Sequence, residues 1–387
     1  MEVRYFDNAA TTRVKDEVLE EMFPFLSVEY GNPSSIYGIG RSARKAVEEA
    51  RRKVASLIGA EAKEIYFTSC GSESDNMALK GLAYWQRERI EQMDTQNRAK
   101  NHIITSKIEH PAILNTCHAL EKQGFEITYL DVSPEGLISL EELERAIKPE
   151  TFLISIMFAN NEIGTIEPIE EISRLAHLHG IYFHTDAVQA VGNVPIQVKQ
   201  MGIDLLSLSG HKLYAPKGIG ALYIRQGIEL ERFLDGGHQE KNKRAGTENV
   251  AEIVALGKAC ELAEKQLPEY QKKLRGLRDE CLHQMKLRFP ELYINGSMEN
   301  RLPGNCNVCF PHVNSSELLY QLDQVGICAS GGSACSSGDS APSHVLTAIG
   351  VPSHLAQGAL RITFGDFNTK QDVDFLIEQL DKIIWKK

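Results

Sequence analysis

A lysine near the middle of the chain, Lys212, follows the apolar, strand-like run Leu205 to Ser209 after a short polar turn. Lysines usually lie on solvated surfaces, and placing one at the end of a buried strand costs desolvation energy. A desolvated lysine has a depressed pKa and becomes a nucleophile. The position therefore predicts a lysine that forms a Schiff base with a carbonyl group.

Polar residues also follow several other predicted strands. Gly71-Ser72 would open a helix with small residues, whose backbone N–H groups suit a phosphate. In open α/β sheets, ligands bind beyond the carboxyl ends of the strands, so these residues should meet at one edge. The other residues at that edge are a histidine, two amides, a carboxylate and a polar turn: His110, Asn161, Gln189, Asp186 and Ser209 to Lys212.

Each of these features has a simpler explanation when it is taken alone. Gly71-Ser72 could only cap a helix, and Asp186 could cap the helix after its strand. His110 could be a loop residue, and Asn160-Asn161 could be a turn. Together, however, they supply a phosphate site, a carboxylate for a pyridinium nitrogen, a flat partner for a ring and a lysine for an aldehyde. Pyridoxal phosphate needs this set, so the convergence favours a site for that cofactor.

The elements that position these residues alternate in type between about residues 60 and 225. Seven apolar runs are separated mostly by amphipathic stretches such as Pro168 to Leu178, which predicts an α/β domain with a largely parallel sheet. The last two runs are joined by a Gly/Pro loop too short for a helix, so we expect them to be antiparallel. The runs cover residues 64–69, 102–106, 125–130, 151–158, 181–185, 205–209 and 219–224.

The pattern changes after about residue 250, where we predict a smaller α+β domain. A long helix, Ile253 to Phe289, is expected to be interrupted near Pro268. Thr369 and Asp372 have the spacing of a capping box at the start of the last helix. Further predicted elements are a strand at 305–310, a helix at 315–325 and a strand at 360–364. The predicted domains are an N-terminal segment 1–15 that packs with the small domain, a large domain 16–250 and a small domain 251–387.

The composition limits the classes of partner. The formal net charge is -10 and there is no block of lysine or arginine, so we expect no direct nucleic-acid contact and no anionic membrane surface. No apolar run approaches the ~20 residues of a membrane helix, and no secretory signal is expected. Eight scattered cysteines are too sparse for a disulfide framework, which favours the reducing cytoplasm. Cys306 and Cys309 lie on opposite faces of a predicted strand, so no metal site is expected there.

The motifs, in this order, resemble the cysteine desulfurases of the NifS/IscS type, which are class-V aminotransferase-like enzymes of fold type I. The resemblance spans nearly the whole chain. The motifs are highly specific as a set, although no single motif is. It implies a pyridoxal-phosphate-dependent transferase with a mainly parallel seven-stranded sheet in the large domain. The matching segments are 7–12, 30–35, 67–76, 109–110, 160–164, 184–189, 209–212, 244–250, 332–335 and 360–362.

The resemblance implies a role for each residue around the cofactor. Lys212 would hold the cofactor covalently and later take the Cα proton of the substrate. Asp186 would pair with the pyridine nitrogen, and His110 would stack on the ring and exchange a proton with the substrate thiol. The remaining cofactor contacts are Asn161 and Gln189 at the phenolic oxygen, and Gly71, Ser72, Ser209 and His211 at the phosphate. Ser72 stands where many relatives have threonine, and it retains the hydroxyl.

Substrate binding and subunit contacts are also implied by the resemblance. Arg361 would clamp the substrate carboxylate through two parallel hydrogen bonds. Asn161 and Asn32 would assist in substrate binding. Thr247 would reach the phosphate of the cofactor in a partner subunit, which implies a homodimer.

Cys335 decides which reaction this site performs. It lies in a Gly/Ser-rich stretch, residues 329–343, without an apolar anchor, whereas a free cysteine is usually buried as a small hydrophobe. On composition alone, a linker cysteine and a nucleophile are equally acceptable. With the lysine site, the stretch resembles the extended loop of the long-loop desulfurases, with Cys335 as the thiol that takes sulfur. Cys328 follows a strand-like run, and we interpret it as structural.

The implied activity is the removal of sulfur from L-cysteine, which gives L-alanine and a persulfide on Cys335. The persulfide would pass to an acceptor protein such as an iron–sulfur scaffold, and Cys335 could be a transient ligand of a cluster. The sequence does not distinguish iron–sulfur assembly from tRNA thiolation or thio-cofactor synthesis. Two alternatives remain: a selenocysteine lyase or related β-eliminating enzyme on the same fold, and a non-enzymatic scaffold that carries sulfur or a cluster.

Overall fold

The computed structural model describes residues 3–92, 100–332 and 343–385. The strands are β1 (Arg4–Tyr5), β2 (Ile65–Thr68), β3 (His102–Ser106), β4 (Glu126–Leu130), β5 (Thr151–Ser155), β6 (Tyr182–Asp186), β7 (Leu205–Ser209), β8 (Gly220–Ile224), β9 (Tyr293–Ile294), β10 (Asn305–Cys309), β11 (Ile327–Cys328) and β12 (Ala359–Thr363). The helices are α1 (Asp16–Met22), α2 (Pro24–Ser27), α3 (Gly38–Ile58), α4 (Gly71–Gln92), α5 (Pro111–Glu121), α6 (Leu140–Ala146), α7 (Ile169–Leu178), α8 (Val250–Arg288), α9 (Ser315–Gln324), α10 (His344–Ala348), α11 (Ser353–Ala356) and α12 (Lys370–Trp385).

The largest sheet has seven strands in the order β2-β8-β7-β6-β5-β3-β4. Strands β3 to β7 are parallel to their neighbours within that group, and only β8 runs antiparallel, between β2 and β7. The predicted α/β class, the seven-stranded sheet and the antiparallel pair around Lys212 are therefore confirmed. A short loop cannot make the crossover that a parallel pair needs.

Both faces of this sheet are covered by helices, so its strands are apolar on both sides. Alternate residues of β3 show this directly, because Ile104 packs on one face of the sheet and Ile103 on the other. Helices α4 and α5 contribute Met77 and Ile113 to the same face as Ile103. Helices α3 and α7 cover the opposite face. Because both faces of these strands are buried, we expect the polar side chains that contact a ligand to lie at the strand ends.

A second core lies around the three-stranded antiparallel sheet β12-β10-β9 and the helices α9 and α12. The N-terminal segment joins this core, since β1 pairs in parallel with β11 and Phe6 is fully buried there. Cys306 packs in this second core, whereas Cys309 packs in a separate cluster, as expected for opposite faces of β10.

The two cores are connected by the long helix α8, which contradicts the predicted interruption near Pro268. The helix is continuous from Val250 to Arg288 with Pro268 inside it. Its first part contributes Leu256 to the large core, and its second part contributes Leu274 to the small one. Pro268 is exposed, so the carbonyl group that loses its helical donor can bind water.

The last helix begins as predicted, with Thr369 and Asp372 in reciprocal contact. The backbone N–H of Asp372 donates to Thr369 Oγ1 at 3.3 Å, and that of Thr369 donates to Asp372 Oδ2 at 2.8 Å. Among the helices in the described ranges, none combines the length and apolarity needed to cross a membrane.

Candidate active site

A cavity of about 190 Å³ opens at the carboxyl ends of the parallel strands. Its position follows from the topology, because chain segments that leave neighbouring parallel strands meet at one edge. Most of the residues predicted from the sequence line it: Gly71, Ser72, His110, Asn161, Asp186, Gln189, Ser209, His211, Lys212 and Arg361.

Lys212 lies in a single 3₁₀ turn, Gly210–Lys212, that directly follows β7. Its side chain is half-buried, and Nζ donates to the backbone oxygen of Ala10 at 2.6 Å and to that of Ala9. The amine is therefore held at the cavity edge by the N-terminal segment.

Asp186 is the last residue of β6 and is buried at the cavity wall. Oδ1 accepts a hydrogen bond of 2.9 Å from the backbone N–H of Val188. Burial raises the pKa of Asp186, while the neighbouring His110 and Lys212 act to lower it. A cationic ring nitrogen facing this carboxylate would further stabilise its charged form.

His110 caps the N-terminus of α5, and this contact fixes its tautomer. Nδ1 accepts a hydrogen bond of 3.1 Å from the backbone N–H of Ala112, so the neutral ring carries its proton on Nε2. Burial lowers the pKa of His110, and Lys212 and His344 lower it further, whereas Asp186 opposes the shift. His110 is therefore neutral near pH 7.

The phosphate site predicted at Gly71 lies at the start of the 22-residue helix α4. A Cβ atom at Gly71 would lie 2.8 Å from Val188 Cγ2, which is a clash, and 3.5 Å from Ser209 Cβ, which is an ordinary contact. Ser209 Oγ is buried without a hydrogen-bond partner in the described part of the chain. A helix N-terminus and an unpaired hydroxyl together offer donors to an anion.

His211 and Gln189 are engaged by the N-terminal segment. His211 Nδ1 lies 3.2 Å from Thr11 Oγ1, and burial, with Lys212 and Lys217 nearby, lowers the pKa of His211 to about 4. Gln189 Nε2 donates to the backbone oxygen of Ala9 at 3.0 Å. Both side chains keep their place at the cavity through these contacts.

Arg361 lies on β12 and is 1% exposed. Its Nη2 is 2.7 Å from Asp7 Oδ1, and its Nη1 donates to the backbone oxygen of Asn161 at 3.2 Å. Nε is buried and has no hydrogen-bond partner among residues 3–92, 100–332 and 343–385. A buried arginine with an unpaired donor is suited to a carboxylate ligand.

Two of the predicted residues do not line this cavity. Asn32 is exposed, and its Oδ1 accepts a hydrogen bond of 2.9 Å from the backbone N–H of Ser34. Thr247 is exposed as well. Cys335 lies outside the described residues. Cys328 is half-buried on β11, and burial, with Asp323 and Asp7 nearby, raises the pKa of its thiol.

Sequence reasoning assigned no role to several residues at the site, among them Asp7, Ala9, Ala10 and Asp75. The first three belong to a segment, residues 7–12, that matched the family pattern. Asp75 is buried on α4, and its Oδ1 has no hydrogen-bond partner within the described ranges. Burial and the charge of Asp186 raise the pKa of Asp75. In the sequence, Asp75 is a single carboxylate three residues after Ser72, and such a residue is equally typical of an exposed helix turn.

The donors at this cavity fit pyridoxal phosphate. Anion donors lie at the start of α4 and on Ser209, a carboxylate lies at the end of β6, and an amine lies in the turn after β7. The unpaired Ser209 Oγ matches a tightly bound anion. The unpaired Nε of Arg361 adds a separate site for a carboxylate.

Comparison with known proteins gives one consistent result. Residues 4–376 match the family model described as Aminotransferase class-V. The chain is 51% identical over 382 residues to a cysteine desulfurase IscS of Dictyoglomus turgidum, which covers 99% of this chain and 94% of that relative. A solved structure described as a NifS-like protein has a TM-score of 0.90 and 39% identity over 99% of both chains. A structure described as SspA in complex with cysteine has a TM-score of 0.80 and 40% identity, over 95% of this chain and 100% of the other.

Proposed function

This chain belongs to the class-V aminotransferase family as one of its cysteine desulfurases, and on that premise we propose how its own residues perform the reaction. With pyridoxal phosphate, it converts L-cysteine to L-alanine and leaves a persulfide on Cys335. The observation that carries the proposal is the convergence of Lys212, Asp186 and Arg361 on one cavity. When bound, pyridoxal phosphate supplies an electron sink for the negative charge that develops at the substrate Cα.

Lys212 has two roles in this proposal. Its amine would hold the cofactor covalently, and as a free amine Nζ takes the proton from the substrate Cα. The contacts of Nζ with Ala9 and Ala10 support this, because two backbone oxygens hold the freed amine beside the cavity. Asp186, at the end of β6, would hold a ring nitrogen of the cofactor in its protonated form.

His110 handles the proton of the substrate thiol through Nε2. Nδ1 is occupied by the N–H of Ala112, so only Nε2 is available for exchange. Burial favours the neutral imidazole, which can accept a proton near pH 7. The imidazole ring would also provide a flat surface for the cofactor.

Arg361 binds the substrate carboxylate, with Asn161 beside it. The unpaired Nε and the adjacent Nη2 form the edge of the guanidinium group that matches a carboxylate in two parallel hydrogen bonds. Because Arg361 is buried, this interaction is weakly screened and fixes the orientation of the substrate.

Cys335 takes the sulfur atom. Its thiolate attacks the substrate sulfur, the bond between Cβ and sulfur breaks, and a sulfur–sulfur bond forms. The electron pair of the broken bond stays on Cβ, which then takes a proton, and Lys212 Nζ returns its proton to Cα. The products are L-alanine and one persulfide, so atoms and electrons balance without a further oxidant or reductant.

The persulfide then passes to a sulfur-acceptor protein, for which an iron–sulfur scaffold is our leading candidate. We place the reaction in the cytoplasm. All seven cysteines in the described part of the chain carry free thiols, which suits a reducing compartment.

We further propose that the enzyme is a homodimer in which Thr247 contacts the cofactor phosphate of the partner subunit. Thr247 is exposed and does not line the cavity of its own chain. A second surface supports a subunit contact, because large apolar side chains are exposed along residues 23–39. They are Phe23, Leu26, Val28, Tyr30, Ile36, Tyr37 and Ile39. Asn32 lies within this stretch. Analytical ultracentrifugation should show a dimer.

The direct test of the activity is product stoichiometry. The holoenzyme is mixed with one equivalent of L-cysteine, and alanine and protein-bound sulfane sulfur are measured together. We expect the two in equal amounts from the wild type and neither from Lys212→Ala. Alanine formation at the full rate by Lys212→Ala would contradict the cofactor site.

The same assay with selenocysteine as substrate distinguishes a cysteine desulfurase from a selenocysteine lyase. A cysteine desulfurase that uses Cys335 as its acceptor loses turnover of L-cysteine in Cys335→Ser. A selenocysteine lyase would retain selenocysteine turnover in this variant at the wild-type rate and prefer selenocysteine over cysteine.

A further inference from the structure

Asp7 and Arg361 form an ion pair at the cavity although they lie 354 residues apart in the sequence. Arg361 Nη2 and Asp7 Oδ1 are 2.7 Å apart, and the two side chains are 1% and 16% exposed. This distance is typical of a charge-assisted hydrogen bond. A buried guanidinium group needs an anionic or polar partner, and Asp7 provides the anion within the described residues.

This ion pair uses only part of the arginine. Nε lies beside Nη2 on one edge of the guanidinium group, and it has no hydrogen-bond partner in residues 3–92, 100–332 or 343–385. Nη1 is engaged by the backbone oxygen of Asn161 at 3.2 Å. The edge formed by Nε and Nη2 is therefore half used by one oxygen of Asp7. A ligand carboxylate with two free oxygens would satisfy both donors.

The backbone around Asp7 is fixed, so its carboxylate can leave Arg361 only by side-chain rotation. The backbone oxygen of Phe6 accepts a hydrogen bond of 2.6 Å from the N–H of Thr363, and the N–H of Ala9 donates to Thr363 Oγ1 at 2.8 Å. The side chain of Asp7 is partly exposed, so a carboxylate that rotates away from Arg361 can be hydrated. The exchange costs the protein no backbone rearrangement.

We propose that Asp7 occupies Arg361 in place of the substrate carboxylate and is displaced when L-cysteine binds, so that Asp7 sets the affinity for amino-acid substrates. The inference rests on the proposed role of Arg361. It assigns Asp7 a specificity role: a ligand must carry a carboxylate to displace an internal carboxylate, whereas an uncharged group gains nothing from the exchange.

The test uses the full-length holoenzyme and 3-mercaptopropionate, a thiol with a carboxylate but without the amine that would react with the cofactor. Binding is measured by isothermal titration calorimetry for the wild type and for Asp7→Asn, which keeps an acceptor oxygen for Nη2 but removes the competing charge. We expect the neutral variant to bind the probe about 10-fold more tightly. Asp7→Glu, which retains the charge, should bind the probe like the wild type, and so should Asp16→Asn, a change on the exposed helix α1.

A purely structural role of Asp7 gives a different result. If Asp7 only orients Arg361, the probe binds Asp7→Asn with equal or lower affinity, and the proposal is wrong. Asp7→Ser, which is smaller and also neutral, provides the same comparison if Asp7→Asn does not fold. Arg361→Gln tests the premise separately: probe binding that survives in this variant removes the proposed role of Arg361, whereas lost binding with no gain in Asp7→Asn rejects only the role of Asp7.

Discussion

Ser343 Oγ donates a hydrogen bond of 2.6 Å to Oε2 of Glu162, a carboxylate that is only 1% exposed. Glu162 lies in the turn that follows β5, and its backbone oxygen accepts hydrogen bonds from the side chains of Asn305 and Asn307 on β10 at 3.0 and 3.1 Å. Ser343 also caps the short helix α10. The turn after β5 therefore fixes the position of Ser343, the first described residue after 333–342.

Replacing Glu162 with alanine should lower both stability and persulfide formation. Ser343 loses a buried acceptor, so we expect the free energy of unfolding to fall by about 1–3 kcal/mol in urea denaturation. Because Ser343 holds one end of the segment that carries Cys335, the rate of persulfide formation should fall about 10-fold. Glu141→Ala, on the exposed helix α6, is the matched control. If folded Glu162→Ala forms persulfide at the normal rate, the contact between Ser343 and Glu162 has no role in catalysis.

The buried Glu109 should make stability depend on pH. Burial raises its pKa from an ordinary value near 4.5 to about 8. In the unfolded chain the carboxyl group ionises near pH 4.5, whereas in the folded protein it keeps its proton to about pH 8. The folded state binds more protons between these values, so this group's contribution to stability falls as the pH rises and levels off above about pH 8.

Glu109→Gln mimics the protonated carboxyl group, so it should remove the loss of stability that accompanies rising pH. Its amide oxygen can still accept from Ser106 Oγ and from the N–H of Met157. Relative to the wild type, the variant should gain on the order of a few kcal/mol in the free energy of unfolding between pH 5 and pH 9. Chemical denaturation across this range is the measurement, with Glu20→Gln on α1 as control. Parallel pH profiles for wild type and variant would show that Glu109 ionises normally.

The close approach at Gly71 predicts a pair of compensating substitutions. A Cβ atom there would lie 2.8 Å from Val188 Cγ2, so Gly71→Ala should displace the start of α4 and weaken binding of pyridoxal phosphate about 10-fold. Gly71→Ala combined with Val188→Ala removes the clash and should recover most of the affinity. Fluorescence titration of the apoprotein measures both. A double variant as weak as the single one would mean that packing against Val188 is not the cause.

Asp186→Asn should separate cofactor binding from turnover. The amide cannot balance the charge of a protonated ring nitrogen, so we expect turnover of L-cysteine to fall by at least about 100-fold. The contacts of the phosphate and of Lys212 remain, so the protein should still retain cofactor. Absorption spectra and alanine formation are measured on the same samples, and near-normal turnover in this variant would remove Asp186 from the mechanism.

Much of the site could be predicted because its residues follow strands. Parallel strands bring their carboxyl ends together, so Gly71, His110, Asp186 and Lys212 could be placed at one edge from local patterns alone. Arg361 comes from the second core, and no local pattern connects it with that edge; only the family resemblance predicted its place.

Other features depend on contacts that a local pattern does not encode. Asp7 reaches Arg361 through β1, a two-residue strand too short to show periodicity. The helix α8 continues through Pro268 because separate cores hold both of its halves, and this outweighs the local penalty. Asn32 and Thr247 do not line the cavity of their own chain, and the role predicted for Thr247 is at the cofactor of a second subunit.

Cys335 is the proposed sulfur acceptor, and peptide mapping after a single turnover locates the transferred sulfur atom. The holoenzyme is mixed with one equivalent of L-cysteine, alkylated at once and digested, and each cysteine-containing peptide is examined by mass spectrometry. We predict one additional sulfur atom on the peptide with Cys335 and none on the peptide with Cys328, with no persulfide in Lys212→Ala. The extra sulfur on Cys328, or alanine formed at the full rate by Cys335→Ser, would show that Cys335 is not the sulfur acceptor.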